Sequence, residues 1–185
     1  MIDYCWQNNY LNNKQIQKLN KFIDKNFDDF ENKENHATHN EKIVKNTITK
    51  IIKFEKIKQV IPNIQETIHY LNREYFGYDI YDLYSHEHVN YNIYSSKQNA
   101  SYDWHIDASK RHTVDMKLTV LINLSEEKFE GGNFLIFSGA PYEVPELKTP
   151  GTLVIFKSFL NHKVEPITLG IRKSLTFFIH GPKFK

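Results

Sequence analysis

From about residue 78 onward the chain changes its hydrophobic period. Before that point apolar residues recur three and four apart; after it they alternate with polar ones in short runs bounded by turn residues. Alternation puts successive side chains on opposite faces of a strand, whereas the wider spacing gathers them on one face of a helix. Residues 78–84, 87–95, 102–107, 114–124, 133–137, 152–156, 162–167 and 171–180 all read as strands. Eight strands with short turns, after helices, predict a β-sandwich or barrel with helical backing. No repeat, linker or low-complexity tract divides the 185 residues. One domain over 1–185 is expected, with helical support over about 1–77 and a β core over about 78–185.

In the first part, Ile16, Leu19, Phe22, Ile23, Phe27 and Phe30 share a helical face, with Asn12 or Asn13 as the cap. A second helix is expected over about 57–75, striped by Ile64, Ile68, Leu71 and Tyr75, with Gly77 as its stop. Pro62 either interrupts that helix or starts its main part. Residues 1–12 read as an extended lead-in and 31–42 as a solvated loop. The stretch 45–54 alternates imperfectly and fits a strand with Ile48 and Ile52 on one face.

A net charge of +2 with mixed signs gives no basic surplus to recruit nucleic acid. Cys5 is the only cysteine, which excludes an intramolecular disulfide and fits a reducing compartment. The first residues lack the basic and apolar regions of a signal peptide. No apolar run approaches the ~20 residues of a membrane span. A cytoplasmic protein with no membrane or nucleic-acid partner is the expectation.

The chemistry gathers in two runs. Within Tyr-Asp-Trp-His-Ile-Asp at 102–107, His105 and Asp107 lie two apart and project from one face of a strand. His162 would complete a two-histidine, one-carboxylate face of the kind that holds Fe(II) and leaves coordination positions open. Arg172, one of three arginines, follows ten residues after His162. Its forked, permanent cation suits a carboxylate held bidentately. His86 and His88 form a competing pair, but no glutamate follows at metal-site spacing, so they read as strand residues. His36 and His39 read as surface histidines, and His69, His112 and His180 have no partner set.

The series Tyr94…His105-x-Asp107…Glu130-Gly131-Gly132…His162…Gly170-x-Arg172-x-Ser174 resembles the Fe(II)- and 2-oxoglutarate-dependent dioxygenases, in their prolyl 4-hydroxylase-like branch. The resemblance runs over about residues 72–182. It implies an α+β, mainly β chain: a double-stranded β-helix, or jelly roll, with supporting N-terminal helices. It implies Fe(II) on His105, Asp107 and His162, 2-oxoglutarate as cosubstrate, O2 as oxidant and ascorbate as a stimulant. Tyr94 and Arg172 then hold the far end of 2-oxoglutarate; some collagen-type relatives carry Lys in place of this Arg. Leu121 and Asn123 match positions that wall the cosubstrate, provided they share the inner face of their strand with Thr119. Val164 falls on the face of His162. Ser174, on the face of Arg172, either bonds the carboxylate or fills space. No catalytic side chain beyond the metal ligands is expected.

The activity implied is hydroxylation of a protein substrate, foremost a prolyl residue, with 2-oxoglutarate decarboxylated to succinate and CO2. The partner would then be a Pro-containing protein or peptide. One alternative is hydroxylation of a free amino acid or other small molecule by the same site. A hydrolytic zinc enzyme or a non-catalytic metal-binding barrel is a third reading, but no second carboxylate stands at a spacing suited to a general base. Gly131 and Gly132 read as a turn. Loops 98–101, 108–113 and 138–150 are expected to frame the substrate mouth.

Overall fold

The computed structural model describes residues 2–27, 38–39, 42–43, 45–84, 87–107 and 114–184. In order, these form β1 (Tyr4–Gln7), α1 (Asn13–Asn26), β2 (Thr38–His39), β3 (Lys42–Ile43), β4 (Lys45–Asn46), β5 (Ile48–Lys53), α2 (Phe54–Ile57) and α3 (Ile64–Tyr75). Then come β6 (His88–Ser95), β7 (Ser101–His105), β8 (Val114–Asn123), β9 (Glu130–Gly131), β10 (Phe134–Ser138) and β11 (Ala140–Glu143). The chain finishes with β12 (Leu153–Lys157), β13 (Asn161–Val164), β14 (Ile167–Leu169) and β15 (Ile171–Pro182).

Two antiparallel sheets face one another. The larger has the strand order β1-β12-β8-β15-β6-β5 and the smaller β11-β10-β13-β7-β4. Alternation explains how one strand serves two layers. On β8, Leu118, Val120 and Ile122 pack outward with Ile16, Leu19 and Ile68 of the helices. Leu121 turns the other way and meets Val154 and Phe156 of its own sheet and Phe134 and Val164 of the smaller one. This is the helix-backed sandwich that the period-two pattern predicts, in the jelly-roll form that the resemblance implies. No helix among the described residues is long and apolar enough to cross a membrane.

Asn12 caps α1 through a reciprocal pair with Gln15: its side chain accepts from the Gln15 N–H at 3.0 Å, and the Gln15 side chain accepts from the Asn12 N–H at 2.9 Å. Several boundaries differ from expectation. The helix expected over 57–75 forms only from Ile64, as α3, because Pro62 and the left-handed Asn63 (φ +47°) precede it, and the short α2 ends at Ile57, where that helix was expected to begin. The strand expected over 78–84 does not form. Tyr78, Ile80 and Leu83 pack against the core, but among the described residues the segment's one backbone bond to a strand runs from the Tyr81 N–H to the His180 carbonyl at 2.8 Å, while both backbone groups of Tyr78 bond the Asn72 side chain. Gly181 is what lets this segment pass so close, since a Cβ there would overlap the Asp79 carbonyl. Residues 162–167 break into β13 and β14. The lead-in contains an edge strand, β1, and the proline-rich loop contains β11. Gly131 and Gly132 both have positive φ, as a turn requires. His36, His86, His112, Phe30 and the expected rim loop 108–113 lie outside the described residues.

Candidate active site

His105 on β7 and His162 on β13 are direct cross-strand partners, and their ring centres lie 4.1 Å apart. Each ring is turned by its own backbone. Nδ1 of His105 donates to the Asp103 carbonyl at 2.7 Å, and Nδ1 of His162 donates to the Leu160 carbonyl at 2.9 Å. A carbonyl only accepts, so the proton sits on Nδ1 in both rings and leaves each Nε2 lone pair free. Those two atoms point at Asp107, 3.7 Å from Oδ1 for His105 and 3.3 Å from Oδ2 for His162. The three donor atoms lie within 4.8 Å of one another. Metal bonds of about 2.1 Å meeting at right angles place donors about 3 Å apart, so this group can close on one ion. Tyr102 stacks on His105 at 3.4 Å between ring centres, fixing that ring from behind.

Asp107 lies just past the end of β7, where its N–H donates to the Ser158 carbonyl at 3.0 Å. The Thr119 hydroxyl donates to its Oδ2 at 2.8 Å. Burial works to raise the Asp107 carboxyl, but the adjacent His162 and His105 rings and the Thr119 hydroxyl outweigh it and hold the group below the usual carboxylate value. Burial and then His162 push His105 down to about 4, only partly offset by Asp107. Both shifts favour the forms that bind metal, a neutral imidazole and a charged carboxylate.

Arg172 occupies the facing sheet. It is 2% exposed and pairs across the ladder with Tyr94, over whose ring its guanidinium sits at 5.1 Å. Burial lowers the guanidinium and raises the Tyr94 phenol, and each group partly offsets the other's shift. Nη1 donates to Ser174 Oγ at a long 3.5 Å, whereas Nη2 is buried with no hydrogen-bond partner among the described residues. A buried cation without an acidic partner is costly. It also marks where an anion belongs.

One pocket joins these groups, a space of about 430 Å³ including its open mouth. It is lined by His105, Asp107 and His162, by Tyr94, Arg172 and Ser174, and by Leu121 and Val164, all of them expected from the sequence. Asn123 is the exception: it is fully buried, but its amide donates to the carbonyls of Leu147 at 2.9 Å and Lys148 at 3.1 Å, outside the pocket. Its strand and face are those expected; the 145–148 turn uses up its donors. Loop 138–150 correspondingly folds onto the core through Val144 and Leu147 and contributes nothing to the pocket lining. Among the described residues, Asp107 is the only carboxylate in that lining.

The sequence reading missed Lys45, Asn90, Asn92, Tyr102, Phe134, Thr176 and Phe178 in the lining. Alternation from Tyr94 and from Ser174 points to Asn92, Asn90, Thr176 and Phe178, and Tyr102 leads the metal run. Only Lys45 comes from an element with no readable pattern. Of the competing histidines, His88 is exposed and His69 pairs on the surface with Asp82 at 2.7 Å. Trp104 is partly exposed on the opposite face of β7, against Phe137 and Lys163.

Comparison with known proteins agrees with this geometry. Residues 89–180 match the 2OG-Fe(II) oxygenase superfamily. No curated protein matches by sequence. Among solved structures, a Pseudomonas putida prolyl-4-hydroxylase is 18% identical over 98% of this chain and 94% of its own, with a TM-score of 0.69. A prolyl hydroxylase from Trichoplax adhaerens, in complex with a hypoxia inducible factor oxygen degradation domain peptide, is 18% identical over 96% of this chain and 83% of its own (TM-score 0.66). The non-heme alpha ketoglutarate dependent carbocyclase SnoK of nogalamycin biosynthesis is 12% identical over 97% of this chain and 80% of its own (TM-score 0.61). With the family match spanning the strands of His105, His162 and Arg172, the chain belongs to the 2OG-Fe(II) oxygenase superfamily, as an Fe(II)- and 2-oxoglutarate-dependent dioxygenase of prolyl 4-hydroxylase-like build.

Proposed function

We propose that this enzyme hydroxylates a prolyl residue of an intracellular protein, and that residues 1–185 act as one catalytic domain. His105, Asp107 and His162 hold Fe(II) in this reading. Arg172 and Tyr94 receive the distal carboxylate of 2-oxoglutarate, with Leu121, Val164 and Ser174 as walls. The observation that carries it is the buried Arg172 with Nη2 unsatisfied, facing a pocket whose lining holds one carboxylate and three aligned metal donors. The iron centre supplies oxygen activation when loaded. The protein's own part is to orient the cosubstrate, align the substrate carbon and exclude water. In balance, substrate C–H, O2 and 2-oxoglutarate give substrate C–OH, succinate and CO2.

Likeness in fold to prolyl hydroxylases supports the prolyl part of the reading, and the peptide held by one of them supports a peptide substrate. The test is competition. Free L-proline and a panel of Pro-containing peptides are offered with Fe(II), ascorbate and 2-oxoglutarate, and hydroxyproline is measured in each. Conversion of peptides is expected. Conversion of the free amino acid alone would transfer the proposal to small-molecule hydroxylation.

A further inference from the structure

The pocket is longer than its cosubstrate. Along β15 it is lined by Arg172, Ser174, Thr176 and Phe178, and the six residue-to-residue steps between the first and last cover about 20 Å of antiparallel strand. The carboxyl carbons of extended 2-oxoglutarate are about 5 Å apart, four C–C bonds of about 1.5 Å in zigzag. Anchored at Arg172, it leaves the Thr176–Phe178 end for another molecule.

Lys45 enters this stretch from β4, the edge strand of the smaller sheet, where it is the cross-strand partner of Tyr102. Its ammonium lies 5.0 Å from the centre of the Tyr102 ring and donates to Asn92 Oδ1 at 3.4 Å. Asn92 is itself held, accepting from Thr49 Oγ1 at 2.9 Å and donating to Thr176 Oγ1 at 3.2 Å. Among the described residues, no carboxylate forms an ion pair with Lys45, which keeps further N–H donors for a ligand. The charges of the pocket do not close without one. Among the described residues of the lining, Lys45 and Arg172 are two cations against the single anion Asp107. A divalent metal and a doubly charged cosubstrate cancel each other, so one positive charge remains. Burial pushes the Lys45 ammonium down to about 8, which leaves it mostly charged at neutral pH.

We propose that Lys45, steadied by Asn92, binds a carboxylate of the primary substrate, so that the enzyme selects substrates with an acidic group beside the reacting carbon. This rests on the oxygenase reading above and narrows its substrate class. The carboxylate is either the α-carboxylate of a free amino acid or an acidic side chain next to a prolyl residue.

The experiment measures equilibrium binding to protein loaded with Mn(II) and 2-oxoglutarate in the absence of oxygen. Four probes form two pairs: L-proline with L-prolinamide, and a capped Pro-Glu peptide with its Pro-Gln counterpart. In the wild type, one acid should bind at least about tenfold tighter than its amide, the scale of one charge-assisted bond. The pair that discriminates identifies the source of the carboxylate. In Lys45→Met the preference should collapse, and Lys45→Arg should restore part of it; circular dichroism checks that both fold. Two wild-type results overturn the proposal: no acid-over-amide difference in either pair, or no binding by any probe. A Lys45→Met protein whose 2-oxoglutarate affinity falls as far as its acid affinity also overturns it, since the lysine would then serve the cosubstrate. A wild type that takes up neither Mn(II) nor 2-oxoglutarate sinks the functional reading as well.

Discussion

Thr119 shows how much of a metal site lies behind its ligands. Its hydroxyl, fully buried, fixes the Asp107 carboxylate at 2.8 Å and leans on Ser158 Oγ at 3.1 Å. Thr119→Val keeps the volume and removes the bond. Metal affinity should fall about ten- to a hundredfold, as for other lost supports of metal ligands, and Mn(II) titration reads it directly. Arg172 carries the opposite balance, an unpaired buried cation that burdens the ligand-free fold. Arg172→Leu should raise the KM for 2-oxoglutarate roughly ten- to a hundredfold while leaving the ligand-free Tm equal or higher. An unchanged KM would remove Arg172 from the anchor role. Both residues sit on strands that the sequence makes plain. Lys45 does not: it belongs to a two-residue strand at a corner, and lysine is ordinarily a surface residue, so nothing in its neighbours marks it as pocket lining.

Among the elements, alternation was a reliable guide to burial and a poorer one to pairing. The ligand strand β13 and the start of the anchor strand β15 were readable because His162 and Val164, and Arg172 and Ser174, are buried between less buried neighbours. Segment 78–84 half-buries Tyr78, Ile80 and Leu83 without a ladder, and the apolar pattern alone cannot tell such a segment from a strand. β1 and β11 went unseen because β1 buries one side chain and β11 none, so neither shows a period. The loop before β12 hides a further constraint. Gly151 has φ +77°, a Cβ there would overlap the Leu11 carbonyl, and the Leu11 N–H donates to the Gly151 carbonyl at 3.1 Å. Gly151→Ala should destabilise by about 1–3 kcal/mol or more through strain and displaced backbone, visible as a lower urea midpoint at unchanged slope.

At the scale of the whole molecule, the proposed ligands bind only the paired sheets. Saturation at about a hundred times Kd should add about 2.7 kcal/mol. At about 2–4 °C per kcal/mol for a chain of this size, Tm should rise by roughly 5–10 °C with Mn(II) and 2-oxoglutarate together. Arg172→Leu should keep the metal's share of that rise and lose the cosubstrate's. The arrangement has a further consequence. In the proposed site one end of the cosubstrate is fixed by the smaller sheet, through His105 and His162, and the other by the larger, through Arg172. The gap between layers, propped open by Phe134 and Phe156 with ring centres 5.3 Å apart, then works as a calliper set to one chain length of dicarboxylic acid. Trimming a prop, as in Phe156→Leu, should loosen the jaws and shift preference among 2-oxo diacids of four, five and six carbons, although Phe156 need never touch any of them.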